Sequence, residues 1–431
     1  MLGWQRAVEA APDSPEAHYE TADRFYHTGA LVGISGTDDR PFAHFSRALA
    51  LDSAHVGAIA HLIEIAARRG DAQTSRALLA RYLKLAANAD ARPFVEWRTS
   101  VAGGRPGPML ATEAARSAIP QFSLNRIIGF GLLEADAVAD VDRATVELRR
   151  RLDGGTLPPP RIHPAQTLHS WAQNRGRREA ARHAIDALRR VEPFPHGAST
   201  VYYRADHAVV LDALFWDGDT TGAMAAAARL SEQVAAAPPH DPGERAEYFG
   251  DACITLLWRF RDSAAIARTE SADTRRIESH LRSGLGANEP AGLYGNGSRL
   301  CTLMIDAMRA AASPGPRDAA NAITRLDSAL VAGPFAFGID FGNIVLARVQ
   351  RRVGDFSAAH RTIRRRPYDW DTGPLYLTTL LREQGRMAAL DGDREEAIGA
   401  FQRYLRLRDG ADESFRAVDD SVRAELAALR R

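Results

Sequence analysis

Lysine is nearly absent from the sequence: of its 55 basic residues, 54 are arginine and one, Lys84, is lysine. Chemistry that depends on a catalytic lysine therefore has a single candidate. Cysteine is almost as rare, and the two present, Cys253 and Cys301, exclude a disulfide framework and a four-thiolate metal site. Because both lie in apolar, helix-like runs, the sequence predicts that they are buried free thiols.

Long apolar runs and a surplus of charge are also lacking. No run approaches the roughly 18 residues that a membrane span needs, and the first residues contain no apolar signal-peptide core. The 431 residues carry 55 basic and 54 acidic side chains, a formal net charge of +1, which argues against a generally basic nucleic-acid-binding protein. We expect no nucleic-acid partner, no membrane span and a cytoplasmic location, or an extracytoplasmic one if the chain is tethered within a longer protein.

The compact motifs of common enzymes are missing as well. There is no His-Glu-x-x-His, no Gly-x-Ser-x-Gly and no phosphate-binding Gly-Lys-Ser/Thr loop, and the glycine-rich run 284–297 fits an inter-repeat loop better. His61 and Glu64 share a helical face and His163 lies near His169, but no cluster has the spacing of a zinc site. The sequence therefore predicts no catalytic residues, no metal site and no cofactor.

What the sequence does contain is a recurring glycine followed by a polar residue, flanked by helical patterns on both sides. Glycine past the end of a helix adopts the left-handed conformation at little cost, and an aspartate after it can cap the next helix. Each pair therefore predicts a tight corner between antiparallel helices. The pairs are Gly70-Asp71, Gly176-Arg177, Gly218-Asp219, Gly354-Asp355 and Gly392-Asp393.

Small residues follow each corner at a fixed distance, which would let the two helices of a hairpin approach closely. Five positions after the glycines stand Ser75, Ala181, Ala223, Ala359 and Ala397. The long intervals between corners correspond to several repeats of about 34 residues, the tetratricopeptide period. We therefore predict an all-α fold, a right-handed α-solenoid of tetratricopeptide-like helix hairpins forming one array over residues 1–431. It would comprise a partial repeat (1–12), about ten helix pairs (13–411) and a closing helix (412–431).

The closing part of the sequence carries the most specific similarity. It contains the runs Arg364-Arg365-Arg366-Pro367-Tyr368-Asp369-Trp370, Arg382-Glu383-Gln384-Gly385-Arg386 and Gly392-Asp393-Arg394-Glu395-Glu396-Ala397-Ile398. These resemble the tetratricopeptide region that follows the catalytic domain in a group of bacterial serine/threonine protein kinases, as do residues 168–181 and 215–223. The resemblance implies a regulatory, sensory or partner-binding role and no reaction.

The kinase domain itself is not encoded in this sequence. Residues 340–342 spell the Asp-Phe-Gly tripeptide with which kinases bind metal, but no glycine-rich phosphate loop and no His-Arg-Asp triplet accompany it. The tripeptide also falls at the start of a predicted repeat helix. We therefore interpret it as a coincidence.

Arginines near the C-terminus form the main candidate binding site. In tetratricopeptide arrays the first helix of each pair lines the concave surface, and arginines spaced three or four residues apart share one helical face. Guanidinium groups gathered there would suit bidentate capture of carboxylates or phosphates, although the same arginines could be solvated or paired with neighbouring acidic residues. The arginines are Arg348, Arg351 and Arg352 on one helix, and Arg382 and Arg386 on the next.

Phe215 and Trp216 are the aromatic candidates for the same surface, with packing between repeats as the competing interpretation.

Three hypotheses of function follow. The first is a non-catalytic scaffold that binds a protein or peptide, acidic in character, in its concave groove. The second is a detached sensor region of a serine/threonine kinase or transcription regulator, acting in a signalling complex. The third, an enzyme hidden in the solenoid, has no supporting motif.

Overall fold

The computed structural model describes residues 2–30, 39–86, 89–105, 107–134, 137–155, 162–191, 204–216, 218–236, 249–261, 271–283, 293–312, 316–332, 339–365 and 375–431. Within these ranges every regular element is helical and no strand occurs. The chain divides into an N-terminal unit, Met1–Trp171, and a C-terminal unit, Ala172–Arg366 with Leu375–Arg431.

The N-terminal unit is built of short amphipathic helices joined by tight connections. Its described helices are α1 (Leu2–Ala10), α2 (Pro15–Thr28), α3 (Asp39–Leu51), α4 (Val56–Arg68), α5 (Ala72–Leu85), α6 (Arg92–Ala102), α7 (Glu113–Ser117), α8 (Gln121–Leu133) and α9 (Val138–Asp153), with the unit boundary falling inside α10 (Ile162–Arg175).

The C-terminal unit continues the same alternation of helices. Its described helices are α11 (Arg178–Val191), α12 (Ala205–Phe215), α13 (Thr220–Ala236), α14 (Phe249–Arg259), α15 (Ala272–Ser283), α16 (Leu293–Ala312), α17 (Pro316–Ala332), α18 (Ile339–Arg352), α19 (Phe356–Ile363), α20 (Leu377–Asp391), α21 (Arg394–Leu407) and α22 (Arg416–Arg430).

The helices pack as stacked hairpins in both units. The first helix of a pair contacts its own second helix, as α4 contacts α5 and α12 contacts α13, and it also contacts the first helix of the following pair, as α4 contacts α6 and α14 contacts α16. A single hairpin cannot bury its apolar face, whereas stacked neighbours share a continuous core. The prediction of an all-α array of tetratricopeptide-like hairpins is thus confirmed for the described part of the chain.

The predicted corners adopt the expected geometry. All five corner glycines have left-handed backbone conformations, with φ between 65° at Gly176 and 88° at Gly392. The aspartates after four of them cap the next helix, as Asp71 does by accepting a hydrogen bond from the Thr74 amide at 3.0 Å. The small residues five positions after the glycines are all buried. Glycine and aspartate therefore determine where these hairpins turn.

The corner at Gly176 lacks a capping aspartate, and the cap is supplied from a distant part of the C-terminal unit. Arg177 follows the glycine, and the amide of Arg178 donates to Asp412 Oδ2 at 2.8 Å. The amide of Asp412 in turn donates to the carbonyl of Gly176 at 2.9 Å. The segment that precedes α22 thus completes the turn between α10 and α11.

We expect the substitution Gly392→Ala to lower the free energy of unfolding by about 1 kcal/mol, because alanine resists the left-handed conformation. A Cβ at Gly392 would meet no atom within 4 Å, so the cost is conformational only. Gly399, inside α21, has equally open surroundings and no positive φ. Because alanine is favoured over glycine inside a helix, Gly399→Ala should raise the free energy of unfolding by about 0.5–1 kcal/mol. Urea unfolding measures both variants, and changes of the same sign would contradict this role for Gly392.

The two cysteines correct one expectation from the sequence. Both are buried as predicted, but they are not free thiols: Cys253 on α14 and Cys301 on α16 form a disulfide. These helices are the first members of neighbouring hairpins and lie side by side, whereas 48 positions separate the cysteines in the sequence. Apolar neighbours predicted burial of each thiol correctly and could not indicate that the two burial sites adjoin.

No helix in the described ranges has the length and apolar character needed to cross a membrane.

Candidate functional site

The predicted arginines converge around the carboxylate of Glu383, which is not among the predicted site residues. Glu383, on α20, lies between arginines of α18: its Oε1 accepts from Arg348 Nη2 and Nε at 3.1 and 3.2 Å, and its Oε2 accepts from Arg351 Nη1 at 3.2 Å. The Glu383 side chain is 5% exposed. Burial alone would raise its pKa, but Arg348, Arg351 and Arg382 outweigh burial and lower it. Glu383 is therefore a buried anion that holds two guanidinium groups.

Arg386 has a counterion of its own. It forms a bidentate pair with Glu425 of α22, with Nη2 2.7 Å from Oε1 and Nε 2.9 Å from Oε2. These hydrogen bonds and the charge of Glu425 raise the pKa of Arg386 despite partial burial. Paired in this way, Arg386 contributes mainly to the attachment of α22.

Arg382 and Arg352 have no ion pair among the described residues. Arg382 is largely buried, and its Nε has no hydrogen-bond partner within the described ranges. Burial lowers its pKa, as do the charges of Arg386 and Arg348, against the opposing influence of Glu383. Arg352 is exposed at the end of α18. The five arginines thus face two carboxylates, Glu383 and Glu425, which leaves an excess of positive charge.

A cavity of about 410 Å³ lies beside these arginines in the C-terminal unit; we call it the Phe215 cavity. Its walls come from α12, α14, α16 and α18, the first helices of four successive pairs, and from residues directly after α14. Most of the lining is apolar, with guanidinium groups on one side. The lining residues are Ala213, Leu214, Phe215, Leu257, Phe260, Arg261, Met308, Ala311, Val345, Arg348, Val349 and Arg352.

Phe215 forms part of this cavity from a buried position. Its ring centroid lies 6.0 Å from that of Phe341 and 5.5 Å from that of Tyr376, and the Arg348 guanidinium lies over it at 5.4 Å. Tyr376 is buried and has a left-handed backbone with φ of 56°, a strained conformation for a bulky residue. The hydroxyl of Thr379 donates to the carbonyl of Phe215. The first helix of the last pair therefore packs directly on α12.

Trp216 points elsewhere than its neighbour. It lines a second cavity, of about 390 Å³, together with Arg178, Arg182 and other residues of α11, α12 and α13. Its ring centroid lies 4.9 Å from that of Phe415, and its Nε1 is buried without a hydrogen-bond partner within the described ranges. Three of the seven predicted site residues line the Phe215 cavity: Phe215, Arg348 and Arg352. Trp216 lines the second cavity. The other three line neither cavity and lie on α18 (Arg351) and α20 (Arg382 and Arg386).

Other residues noted in the sequence have structural surroundings. Glu64 is buried and accepts a hydrogen bond from the hydroxyl of Tyr26 at 2.5 Å. His163 and His169 both lie within α10, and the Asp-Phe-Gly tripeptide falls at the start of α18, where Phe341 packs on Phe215. Most of the glycine-rich run 284–297 and residues 366–374 of the kinase-like stretch lie outside the described residues.

Comparisons with known proteins concern the architecture only. No protein-family model matches the chain, and no curated protein matches it. Among solved structures, the chain is similar to the P58(IPK) TPR domain (12% identity, 97% of this chain and 99% of that one, TM-score 0.23). It is also similar to yeast Tom70 (13%, 92% and 77%, TM-score 0.24) and to a chain of Naa15/Naa10 bound to HypK-THB (15%, 99% and 74%, TM-score 0.20). The fold assignment rests on the hairpin packing described above.

Proposed function

We propose that the chain is a non-catalytic scaffold that binds an acidic protein or peptide segment at the Phe215 cavity. The observation that carries the proposal is the position of the cavity: the first helices of four successive pairs line it, and helices of that kind form the concave surface of a hairpin array. A volume of about 410 Å³ lies within the range of ligand-binding pockets.

The lining favours a ligand that carries a carboxylate next to a bulky apolar side chain. Met308, Val345 and Phe260 offer apolar contact area inside the cavity, while Arg348 and Arg352 place guanidinium groups at the same cavity. Guanidinium groups bind carboxylates bidentately, and apolar burial supplies affinity that charge alone does not. The excess of arginine over glutamate nearby would select acidic partners and speed their association.

The regulatory part of the proposal rests on the resemblance of the closing stretch to kinase-associated repeat regions. Residues 382–386 of that stretch lie on α20, the helix that carries Glu383 and packs on α12. The partner would then be a kinase or transcription regulator of a signalling complex, which crosslinking followed by mass spectrometry in the source cells can identify. Crosslinks to metabolic enzymes alone would contradict this part and leave the binding site itself untouched.

Charge reversal at Arg352 tests the binding site. We expect Arg352→Glu to weaken binding of fluorescein-labelled peptides that combine Glu or Asp with one Trp or Leu by about tenfold, roughly 1.4 kcal/mol, and to reduce the salt dependence of binding. Arg352 is exposed and has no ion pair among described residues, so the fold should tolerate the change. Fluorescence anisotropy at two salt concentrations measures both effects.

Arg406→Glu is the matched control, because Arg406 is also exposed but lies on α21, the second helix of its pair, and lines neither cavity. A second variant, Ala311→Phe, fills the cavity without changing charge and should abolish binding. Equal losses for Arg352→Glu and Arg406→Glu would show that the peptides respond only to overall charge. If Ala311→Phe binds the peptides as tightly as the wild type does, the Phe215 cavity is not the binding site.

A further inference from the structure

Two helices of the N-terminal unit bring three potential metal-ligating atoms together. Asp23 and His27 lie one turn apart on α2, and His61 lies on α4, the first helix of the next pair. Asp23 Oδ1 is 3.0 Å from His27 Nε2 and 3.6 Å from His61 Nε2, and the two Nε2 atoms are 3.3 Å apart. None of these residues belongs to the arginine site, which lies in the other unit.

The spacing of these atoms is that of ligands around one small tetrahedral ion. Zn²⁺ binds imidazole nitrogen and carboxylate oxygen at about 2.0–2.2 Å, so two ligand atoms of a tetrahedral site lie about 3.3–3.5 Å apart. The three observed separations, 3.0, 3.3 and 3.6 Å, bracket that value. Two imidazoles and one carboxylate are also a donor set that zinc uses when a fourth position is left to water or another ligand.

His61 is held in the orientation that a metal ligand requires. Its Nδ1 lies 2.9 Å from the carbonyl oxygen of Gly57, one turn earlier on α4. With the proton on Nδ1 donated to that carbonyl, the lone pair of Nε2 points toward His27 and Asp23. Such a hydrogen bond on the far nitrogen is the usual outer-shell contact of metal-bound histidine, because it fixes both the tautomer and the ring.

Aromatic side chains support the same arrangement. The His61 ring stacks on Phe45, with centroids 4.7 Å apart, and the edge-on ring of Tyr26 lies 5.0 Å from both His27 and His61. The three ligand side chains retain partial exposure, 24% for Asp23, 25% for His27 and 11% for His61, so an ion could enter from one side. The packed rings therefore hold the two histidines in place, while the partial exposure leaves the ligand atoms accessible to an ion.

We propose that Asp23, His27 and His61 form a binding site for Zn²⁺, with three protein ligands and a fourth position open to water or to a donor from a partner. The ion would tie α2 to α4 and so stiffen the stack of the first two complete hairpins. No zinc spacing is visible in the sequence, because the third ligand comes from a different helix.

Metal binding to the full-length chain tests this proposal directly. After removal of metal with a chelator, calorimetric titration with Zn²⁺ alone should give one site per chain, and Co²⁺ should give the visible absorption bands of a tetrahedral complex. Asp23→Asn and His27→Gln should each weaken Zn²⁺ binding by at least about 100-fold, because losing a ligand costs no less than the roughly 10–100-fold loss from removing an outer-shell partner. Both residues are partly exposed, so these changes disturb the core little, and far-ultraviolet circular dichroism verifies folding.

His44→Gln is the matched control, because His44 lies in the same hairpin and faces His18, with the two Nδ1 atoms 3.0 Å apart, rather than the proposed ligands. Its affinity for Zn²⁺ should equal that of the wild type, and Zn²⁺ should raise the unfolding temperature of both but not that of Asp23→Asn. If the wild type binds no Zn²⁺, the three side chains form only a hydrogen-bonded cluster and the proposal is overturned. It is also overturned if Asp23→Asn and His27→Gln bind Zn²⁺ as tightly as the wild type does.

Discussion

Replacing both cysteines with alanine, Cys253→Ala with Cys301→Ala, should lower the free energy of unfolding of the C-terminal unit by about 3–4 kcal/mol. A crosslink stabilises chiefly by restricting the unfolded chain, and for a loop closed across 48 positions the chain-entropy relation gives about 4 kcal/mol. Because both side chains are buried, alanine removes the sulfurs without introducing an unpaired polar group. Urea unfolding of the wild type and the double variant measures the difference.

Reduction of the wild type provides the control for this prediction. Dithiothreitol should destabilise the wild type by an amount close to that of the double substitution and should leave the double variant unchanged. If dithiothreitol shifts neither protein, the disulfide contributes nothing to stability in solution. The oxidation state of the two cysteines in cells also reports the compartment, since disulfides persist in oxidising environments.

The disulfide also bears on the binding site, because α14 and α16 both line the Phe215 cavity. Leu257 on α14 and Met308 on α16 belong to its wall, and the crosslink between Cys253 and Cys301 lies about one helical turn or two away on the same helices. Fixing the two helices to each other therefore limits how far the cavity can open. A scaffold with a preformed cavity loses less conformational entropy when it binds a peptide.

The hairpin corners could be predicted from sequence because their determinants are local. Gly392 adopts the left-handed conformation and Asp393 caps the next helix within three residues, so a glycine followed by aspartate between two helical patterns specifies the turn. Alanine and serine five positions later are small for a reason that is equally local, the close approach of the two helices. Long-range packing is not needed to recognise any of these features.

The arginine site could be predicted only in part, because its partners come from distant parts of the chain. Spacing placed Arg348 and Arg351 on one helical face, but the carboxylate that binds both, Glu383, lies on another helix more than thirty positions away. The contact of Thr379 with the carbonyl of Phe215 spans 164 positions. Such contacts depend on how successive hairpins stack in three dimensions, which leaves no pattern in the sequence.

The contribution of the Glu383 carboxylate to stability can be tested by comparing Glu383→Gln with the same substitution in a more exposed ion pair. Glu425→Gln is the control, because Glu425 and its partner Arg386 are each 31% exposed. Removal of a partly solvated ion pair typically costs about 1 kcal/mol or less. Glu383→Gln, by contrast, removes a carboxylate that is only 5% exposed and is shared by two guanidinium groups, Arg348 and Arg351, that are 31% and 37% exposed. Because only the carboxylate is buried, the loss should fall between that of a solvated pair and the about 3–5 kcal/mol of a fully buried one. We expect a loss of about 2 kcal/mol at pH 7, because glutamine can still accept one hydrogen bond.

The same pair of variants should differ in acid. The three neighbouring arginines lower the pKa of Glu383 in the folded protein, although burial acts in the opposite direction. A lowered folded pKa stabilises the protein above the unfolded value of about 4.3, and that contribution is lost as the pH falls through the folded value. As the pH falls below about 4.3, the free energy of unfolding of the wild type should therefore decrease more steeply than that of Glu383→Gln, which has no carboxyl group to protonate at this position. Urea unfolding at several pH values measures both. Identical pH profiles for the two proteins, or equal losses for Glu383→Gln and Glu425→Gln at pH 7, would mean that the arginines do not depend on this carboxylate.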